Sequence, residues 1–152
     1  MVLTFLKNRH TIYGYNLRIN NEIKMKKGNE ILFILGTHGD EKIGAEIIKL
    51  LAKNNIKNAD YIVGNPKAFE ANKRFIDVDL NRSYPGKEKS NFYEERQALK
   101  NLKIAKKYKY VIDIHEAKKS KHTFVIIPKD FRVKNIPKAV DFLNIENIIF
   151  WP

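Results

Sequence analysis

Along the chain the apolar pattern switches between the period of a strand and that of a helix. Ile31-Leu32-Phe33-Ile34-Leu35 is an unbroken apolar run, the sign of a strand buried on both faces. From Asp40 onward Ile43, Ile47, Leu50 and Leu51 fall on one helical face, which predicts a helix ending near Asn54-Asn55. Tyr61-Ile62-Val63 reads as a short strand closed by Gly64-Asn65-Pro66. Upstream, Thr11–Ile19 alternates as a strand does, with Asn20-Asn21 as a turn and Lys26-Lys27-Gly28-Asn29 as a break. Ser90 is the predicted N-cap of a helix with Glu94 and Glu95 in its early turns, carrying Leu99, Leu102 and Ile104 toward Lys107. Tyr110–Ile114 and Thr123–Ile127 return as strands, a short helix follows Pro137, and Ile148–Trp151 is a last strand.

Helices between strands imply crossover connections. The expected class is therefore α/β, a largely parallel or mixed sheet flanked by helices. In such sheets ligands bind beyond the carboxyl ends of the strands. His38 and His115 each come just after an apolar run, so both are expected at that edge.

Length and composition narrow the picture. With 152 residues, 43% of them hydrophobic, the chain is expected to form a single domain over residues 1–152. The absence of cysteine excludes disulfides, thiolate metal sites and a cysteine nucleophile, so a metal would be held by His, Asp or Glu. The opening Met1–Leu6 lacks the features of a signal segment, and no run approaches the ~20 apolar residues of a membrane helix. This predicts a soluble cytoplasmic protein with no membrane partner. A net charge of +12 would attract anions. The basic residues are nevertheless spread along the chain, with dense clusters only at Lys106–Lys109 and Lys118–Lys121, which weighs against a nucleic-acid partner.

Two segments carry candidate chemistry. In Gly36-Thr37-His38-Gly39-Asp40-Glu41, the glycines allow a tight strand-to-helix turn around His38, and Glu41 falls in the expected first helical turn. With His115 these two residues form the outline of a catalytic zinc site, which commonly takes three His or Glu ligands and leaves one position open. A glutamate at a helix start also has a bland reading, as an acid favourable to the helix dipole. The second segment runs from Arg74 to Gly86 and fits neither helix nor strand. There Arg74 and Arg82 flank Asp77 and Asp79. They are either loop ion pairs of little energetic consequence or guanidinium forks that hold a carboxylate and polarise a carbonyl.

Gly36–Glu41, Gly64-Asn65-Pro66, Asp79-Leu80-Asn81-Arg82 and Asp113-Ile114-His115 occur in the order and approximate spacing of the succinylglutamate desuccinylase and aspartoacylase family, which the chain resembles over roughly residues 30–128. The resemblance implies a zinc carboxypeptidase-like fold and one zinc ion on His38, Glu41 and His115. It further implies that Arg74 stabilises an oxyanion beside the scissile carbonyl, that Asn81 and Arg82 grip a carboxylate of a small-molecule substrate, and that the reaction is hydrolysis of an N-acyl amide bond of an amino acid. Two departures stand out. The family's general-base glutamate lies in a later strand, farther beyond the third ligand than Pro152, so the family's C-terminal part is expected to be lacking. The residue after His115 is Glu116, where the family has a small or polar one. Glu116 is thus the candidate base within the sequence, or else a solvated or ion-paired acid facing away from the metal. Asp113 is either an acceptor that orients a metal-bound imidazole or an ordinary strand-end acid. Two alternatives to a hydrolase stay open: a metal- and anion-binding protein without turnover, and a subunit completed by a partner or by its own oligomer.

Overall fold

A computed structural model describes residues 2–7, 30–53, 59–117, 119, 121–128 and 147–151. Its strands are β1 (Val2–Lys7), β2 (Ile31–Leu35), β3 (Ala59–Val63), β4 (Tyr110–His115), β5 (Phe124–Pro128) and β6 (Asn147–Trp151). Its helices are α1 (Ile43–Lys53), α2 (Pro66–Glu70) and α3 (Tyr93–Ala105), with a 3-10 turn at Leu80–Arg82. The strands expected at 11–19 and the helix expected after Pro137 lie outside the described residues.

The strands form one sheet in the order β3-β2-β4-β1-β5-β6. Pairing is parallel for β3 with β2, β2 with β4, β1 with β5 and β5 with β6, and antiparallel for β1 with β4. The mixed α/β sheet expected from the pattern is therefore observed, with one reversal near its middle. Eight residues or so separate β4 from β5, too few for a parallel crossover of a dozen or more, so β5 runs opposite to β4 and β1 fills the space between them. The opening segment, which carried no strand prediction, is that filler.

The continuous apolar runs are explained by a sheet covered on both faces. Leu35, Ile112, Ile114, Val125 and Ile127 pack on one face with Ile43 and Ile47 of α1. Leu32, Ile34, Ile62 and Val111 pack on the other with Ala98 and Ala105 of α3. Adjacent residues of β2 and β4 thus serve opposite layers, as the two-residue period of a strand requires.

Three details differ from the sequence expectation. Leu50, placed on the buried stripe of α1, is 57% exposed, because helix and sheet are already in contact through Ile43 and Ile47. Ser90 does not cap α3, whose N-cap position is Phe92 with no side-chain cap bond. Asp77 does so from a distant loop, its Oδ2 accepting from the Tyr93 amide at 2.6 Å. Finally, Gly64-Asn65-Pro66 opens a helix instead of merely closing a strand: Asn65 accepts from the Ala68 amide and Pro66 occupies the first turn of α2, a position where its missing N–H costs nothing.

Candidate active site

The parallel strands β3, β2 and β4 end at one edge of the sheet, with Val63, Leu35 and Ile114 in register. Chain segments leaving those three ends build the site. Gly64 donates to the Leu35 carbonyl at 2.6 Å and Asn65 to the Gly36 carbonyl at 3.1 Å, so the turns after β3 and β2 are tied together. Gly36 has φ +63°, a left-handed conformation that glycine alone adopts cheaply, and it turns the chain so that Thr37, His38 and Glu41 are all buried. The Glu41 amide donates to the His38 carbonyl at 3.1 Å. That turn precedes α1, so Glu41 lies before the helix and not in its first turn, and its carboxylate points inward.

One nitrogen of His38, one of His115 and one oxygen of Glu41 lie within 4.8 Å of one another. His38 Nδ1 is 2.6 Å from Glu41 Oε1, and His115 Nδ1 is 3.1 Å from Glu41 Oε2. The two rings stand 5.2 Å apart at 56°. The second nitrogen of each ring meets another carboxylate: His38 Nε2 lies 3.3 Å from Asp79 Oδ1, and His115 Nε2 lies 3.0 Å from Asp113 Oδ2. Thr37 Oγ1 in turn donates to Asp113 Oδ1 at 2.9 Å. A carboxylate behind each imidazole fixes its tautomer and orientation and is the usual support of a metal-binding histidine. Two imidazoles and a carboxylate form a donor set suited to zinc and to related divalent ions. On this chemistry the residues fit such an ion.

The same contacts set the charges. Burial alone would raise the Glu41 carboxyl, but hydrogen bonds from His115 and His38 and their charge outweigh it and hold it at about 2. Burial would lower the His115 ring, yet the Asp113 and Glu41 carboxylates push it up to about 10. For Asp79 burial is again outweighed, here by the Asn81 amide, His38 and Arg74, so its carboxyl sits below the ordinary value. The two carboxylates beside His115 thus favour the charged form of its ring.

The loop that follows α2 brings the remaining candidates to the rim. The Gly39 amide donates to the Arg74 carbonyl at 3.3 Å, which joins this loop to the His38 turn. The Arg74 guanidinium, half exposed, is 3.6 Å from Asp79 Oδ2. Asp79 Oδ1 accepts from the Asn81 amide at 2.9 Å, and Asn81 Nδ2 is 3.5 Å from His38 Nε2. Arg82 ends the 3-10 turn and is exposed. Glu116 lies just past the end of β4. Its Oε2 accepts from the Lys42 amide at 3.0 Å, and its own amide donates to Glu41 Oε2 at 3.1 Å. Its carboxylate is thus occupied at the start of α1. The structure gathers His38, Glu41, His115, Asn81 and Arg74 at one edge, directly or through Asp79. His122 is exposed within the β4–β5 connection, and His10 lies outside the described residues.

Sequence reasoning missed Thr37 and Glu94. Thr37 stood in plain view inside the Gly36–Glu41 segment, but nothing in one dimension pairs it with Asp113, 76 positions away. Glu94 was read only as a helix-start acid.

The site and sheet define an α/β protein with a His–Glu–His group at the carboxyl edge that could hold a metal ion. Residues 27–144 match the succinylglutamate desuccinylase/aspartoacylase catalytic domain, and the chain belongs to that family. Among relatives, it is 36% identical over 112 residues to a probable aspartoacylase of Prochlorococcus marinus strain AS9601, covering 64% of this chain and 37% of that protein. It is 32% identical over 107 residues to one from Trichodesmium erythraeum, covering 60% and 36%. With one from Nostoc sp. strain PCC 7120 it shares 42% over 67 residues, covering 40% and 22%. The chain thus matches between 22% and 37% of the length of these curated relatives. A solved structure, murine aminoacylase 3, superposes with a TM-score of 0.42 at 19% identity, covering 69% of this chain and 36% of that one.

Proposed function

We propose that this chain, read as one unit over residues 1–152, is the metal- and carboxylate-binding part of a zinc-dependent deacylase that hydrolyses the N-acyl amide bond of an acylated amino acid or similar carboxylate-bearing substrate. The observation that carries the proposal is the inward-facing group His38, Glu41 and His115, with Asp79 and Asp113 behind the two rings.

His38, Glu41 and His115 would hold one zinc ion. When bound, the ion lowers the pKa of a coordinated water and polarises a carbonyl. The remaining chemistry belongs to the rim. Asn81 and Arg82 are the proposed grip on the substrate carboxylate, a planar fork beside an amide donor. Arg74 is the proposed cation at the carbonyl oxygen, where it would stabilise the negative charge of the tetrahedral intermediate. Its contact with Asp79 orients the guanidinium over the loop instead of leaving it to range through solvent. Glu116 is better suited to hold the start of α1 than to relay a proton, because its carboxylate already accepts from Lys42.

A second reading, a metal- and anion-binding protein without turnover, is favoured by that same engagement of Glu116, the carboxylate that directly follows the third ligand in sequence. The test is metal analysis of the purified chain together with hydrolysis of N-acetyl-L-aspartate and N-succinyl-L-glutamate. Deacylase function expects about one zinc per chain, measurable amide cleavage, and loss of both in His115→Ala, with Glu116→Gln close to wild type. Zinc without cleavage selects the binding protein. Full zinc retention in His115→Ala rejects the site as drawn.

A further inference from the structure

The residues assigned to substrate ride on a loop that should be poorly held. Between the end of α2 and Leu80 it has neither helix nor strand, and residues 71–77 are all exposed. Exposed loops ordinarily rank among the least ordered parts of a protein, yet Arg74, Asn81 and Arg82 must keep fixed positions relative to His38. One side chain supplies the constraint. Glu94, in the first turn of α3, is wholly buried. Its Oε1 accepts from the Ile76 amide at 2.7 Å and from Asn65 Nδ2 at 3.0 Å, and its Oε2 accepts from the amides of Asp77 at 3.0 Å and Val78 at 3.2 Å.

Three successive amides converging on one carboxylate oblige the backbone of 76–78 to curl around it. The loop answers in kind, since Asp77 accepts from the Tyr93 amide at the start of α3. Asn65, the fourth donor, also caps α2, and α2 packs against Gly39 next to His38. Glu94 is therefore joined at once to the substrate loop and, through Asn65, to the turn beside the metal group. A buried carboxylate is costly unless fully hydrogen-bonded, so the protein keeps it only with the loop in this one shape.

We propose that Glu94 is the positioning residue of the substrate loop: by gathering the Ile76, Asp77 and Val78 amides it fixes the separation of Arg74 from Asn81 and Arg82, and so sets how tightly the substrate carboxylate and carbonyl are held together. The proposal rests on the deacylase reading for its substrate and on hydrogen bonding alone for the loop.

The experiment uses the zinc-loaded protein and Glu94→Gln, which keeps shape but turns an amide group toward backbone N–H groups that need an acceptor. Two readouts are taken. Amide exchange of Ile76, Asp77 and Val78, followed by NMR, needs neither metal nor substrate and should quicken about tenfold or more, while the amides of β2 and β4 keep their protection. KM for N-acetyl-L-aspartate or N-succinyl-L-glutamate should rise by about 10- to 100-fold, with a smaller change in kcat. Combined with Arg82→Lys, the effect on kcat/KM should be less than the product of the single effects, because the two act on one grip. Should Glu94→Gln fail to fold, Asn65→Ser, whose shorter side chain can still cap α2 but lacks the amide N–H that reaches Glu94, should move both readouts the same way by a smaller factor. Unchanged exchange at 76–78, or unchanged KM alongside a lowered melting temperature, overturns the proposal and leaves Glu94 a residue of the fold only. A wild type that neither binds nor cleaves either substrate overturns the deacylase reading instead, and the exchange measurement still decides whether Glu94 holds the loop.

Discussion

At His115 the proposed metal ion would compete with a proton for one nitrogen. The Asp113 and Glu41 carboxylates beside the ring push it up to about 10, from 6.5 for the unperturbed group. A folded pKa raised in this way stabilises the native state fully below about 6.5, and the contribution fades as pH climbs toward 10. Glu41 works in the opposite sense: its carboxyl is held at about 2, so its contribution is present above 4.5 and lost as pH falls toward 2. The metal-free protein should therefore lose stability in the alkaline window. Zinc can be ligated only by the deprotonated ring, so binding must expel the proton. Titration calorimetry at pH 7 in buffers of different ionisation enthalpy should report about one proton released per zinc bound, with apparent affinity rising toward pH 9. No proton release at pH 7 would show that zinc does not displace a proton from His115, either because the ring is already neutral or because it is not a ligand. At this scale the sequence was informative about types and poor about partners. His38, Glu41 and His115 were legible because their chemistry and strand-end placement coincided. The acids behind them, Asp79 and Asp113, were visible as charges, but which atom each touches depends on a fold that brings Asp79 within 3.3 Å of His38 across 41 positions.

Among the elements, helix starts show how far local signals reach. Both long helices of the described residues begin on a carboxylate supplied from elsewhere, Glu116 at Lys42 just before α1 and Asp77 at Tyr93 in α3. Ser90, the local candidate, accepts instead from the Phe92 amide at 3.0 Å, within the turn that leads into α3. A cap satisfies backbone N–H groups whatever its origin, so sequence proximity does not choose it once tertiary contacts offer a better acceptor. The turn after β2 is equally constrained. A Cβ on Gly39 would lie 2.0 Å from the Ala68 carbonyl carbon and 2.3 Å from the Phe69 nitrogen, which is backbone against backbone and cannot be relieved by a rotamer change. Gly39→Ala should push α2 off the His38 turn, costing about 1–3 kcal/mol or more and weakening zinc binding as His38 shifts. Chemical denaturation and chelator competition would check both, and a variant with wild-type values for each would mean that the two turns are not in contact.

Across the whole molecule, one reversal organises the sheet. β1 pairs with β4 on one side and β5 on the other, so β5 and β6 are connected to the site-bearing half through it. Deleting Val2–Lys7 should strip β4 of a partner along its full length, from His115 to Tyr110, and destroy cooperative unfolding. A thermal transition by circular dichroism as sharp as that of the intact chain would contradict the topology. The apolar runs determined that there would be a sheet covered on both faces by helices, because only strands covered on both faces need to be apolar at every position. The spacing of histidine, glutamate and glycine after those runs determined that a donor set suited to a divalent ion would stand at the carboxyl edge. What the tertiary structure alone decided was contact across sequence distance: the insertion of β1 between β4 and β5, the carboxylates behind each histidine, and the turn of Glu94 toward the amides of Ile76, Asp77 and Val78. Burial and periodicity are properties of single residues and leave a trace in the sequence. Hydrogen-bond partnership between residues tens of positions apart is a property of pairs, and it becomes defined only when the sheet has set which ends meet.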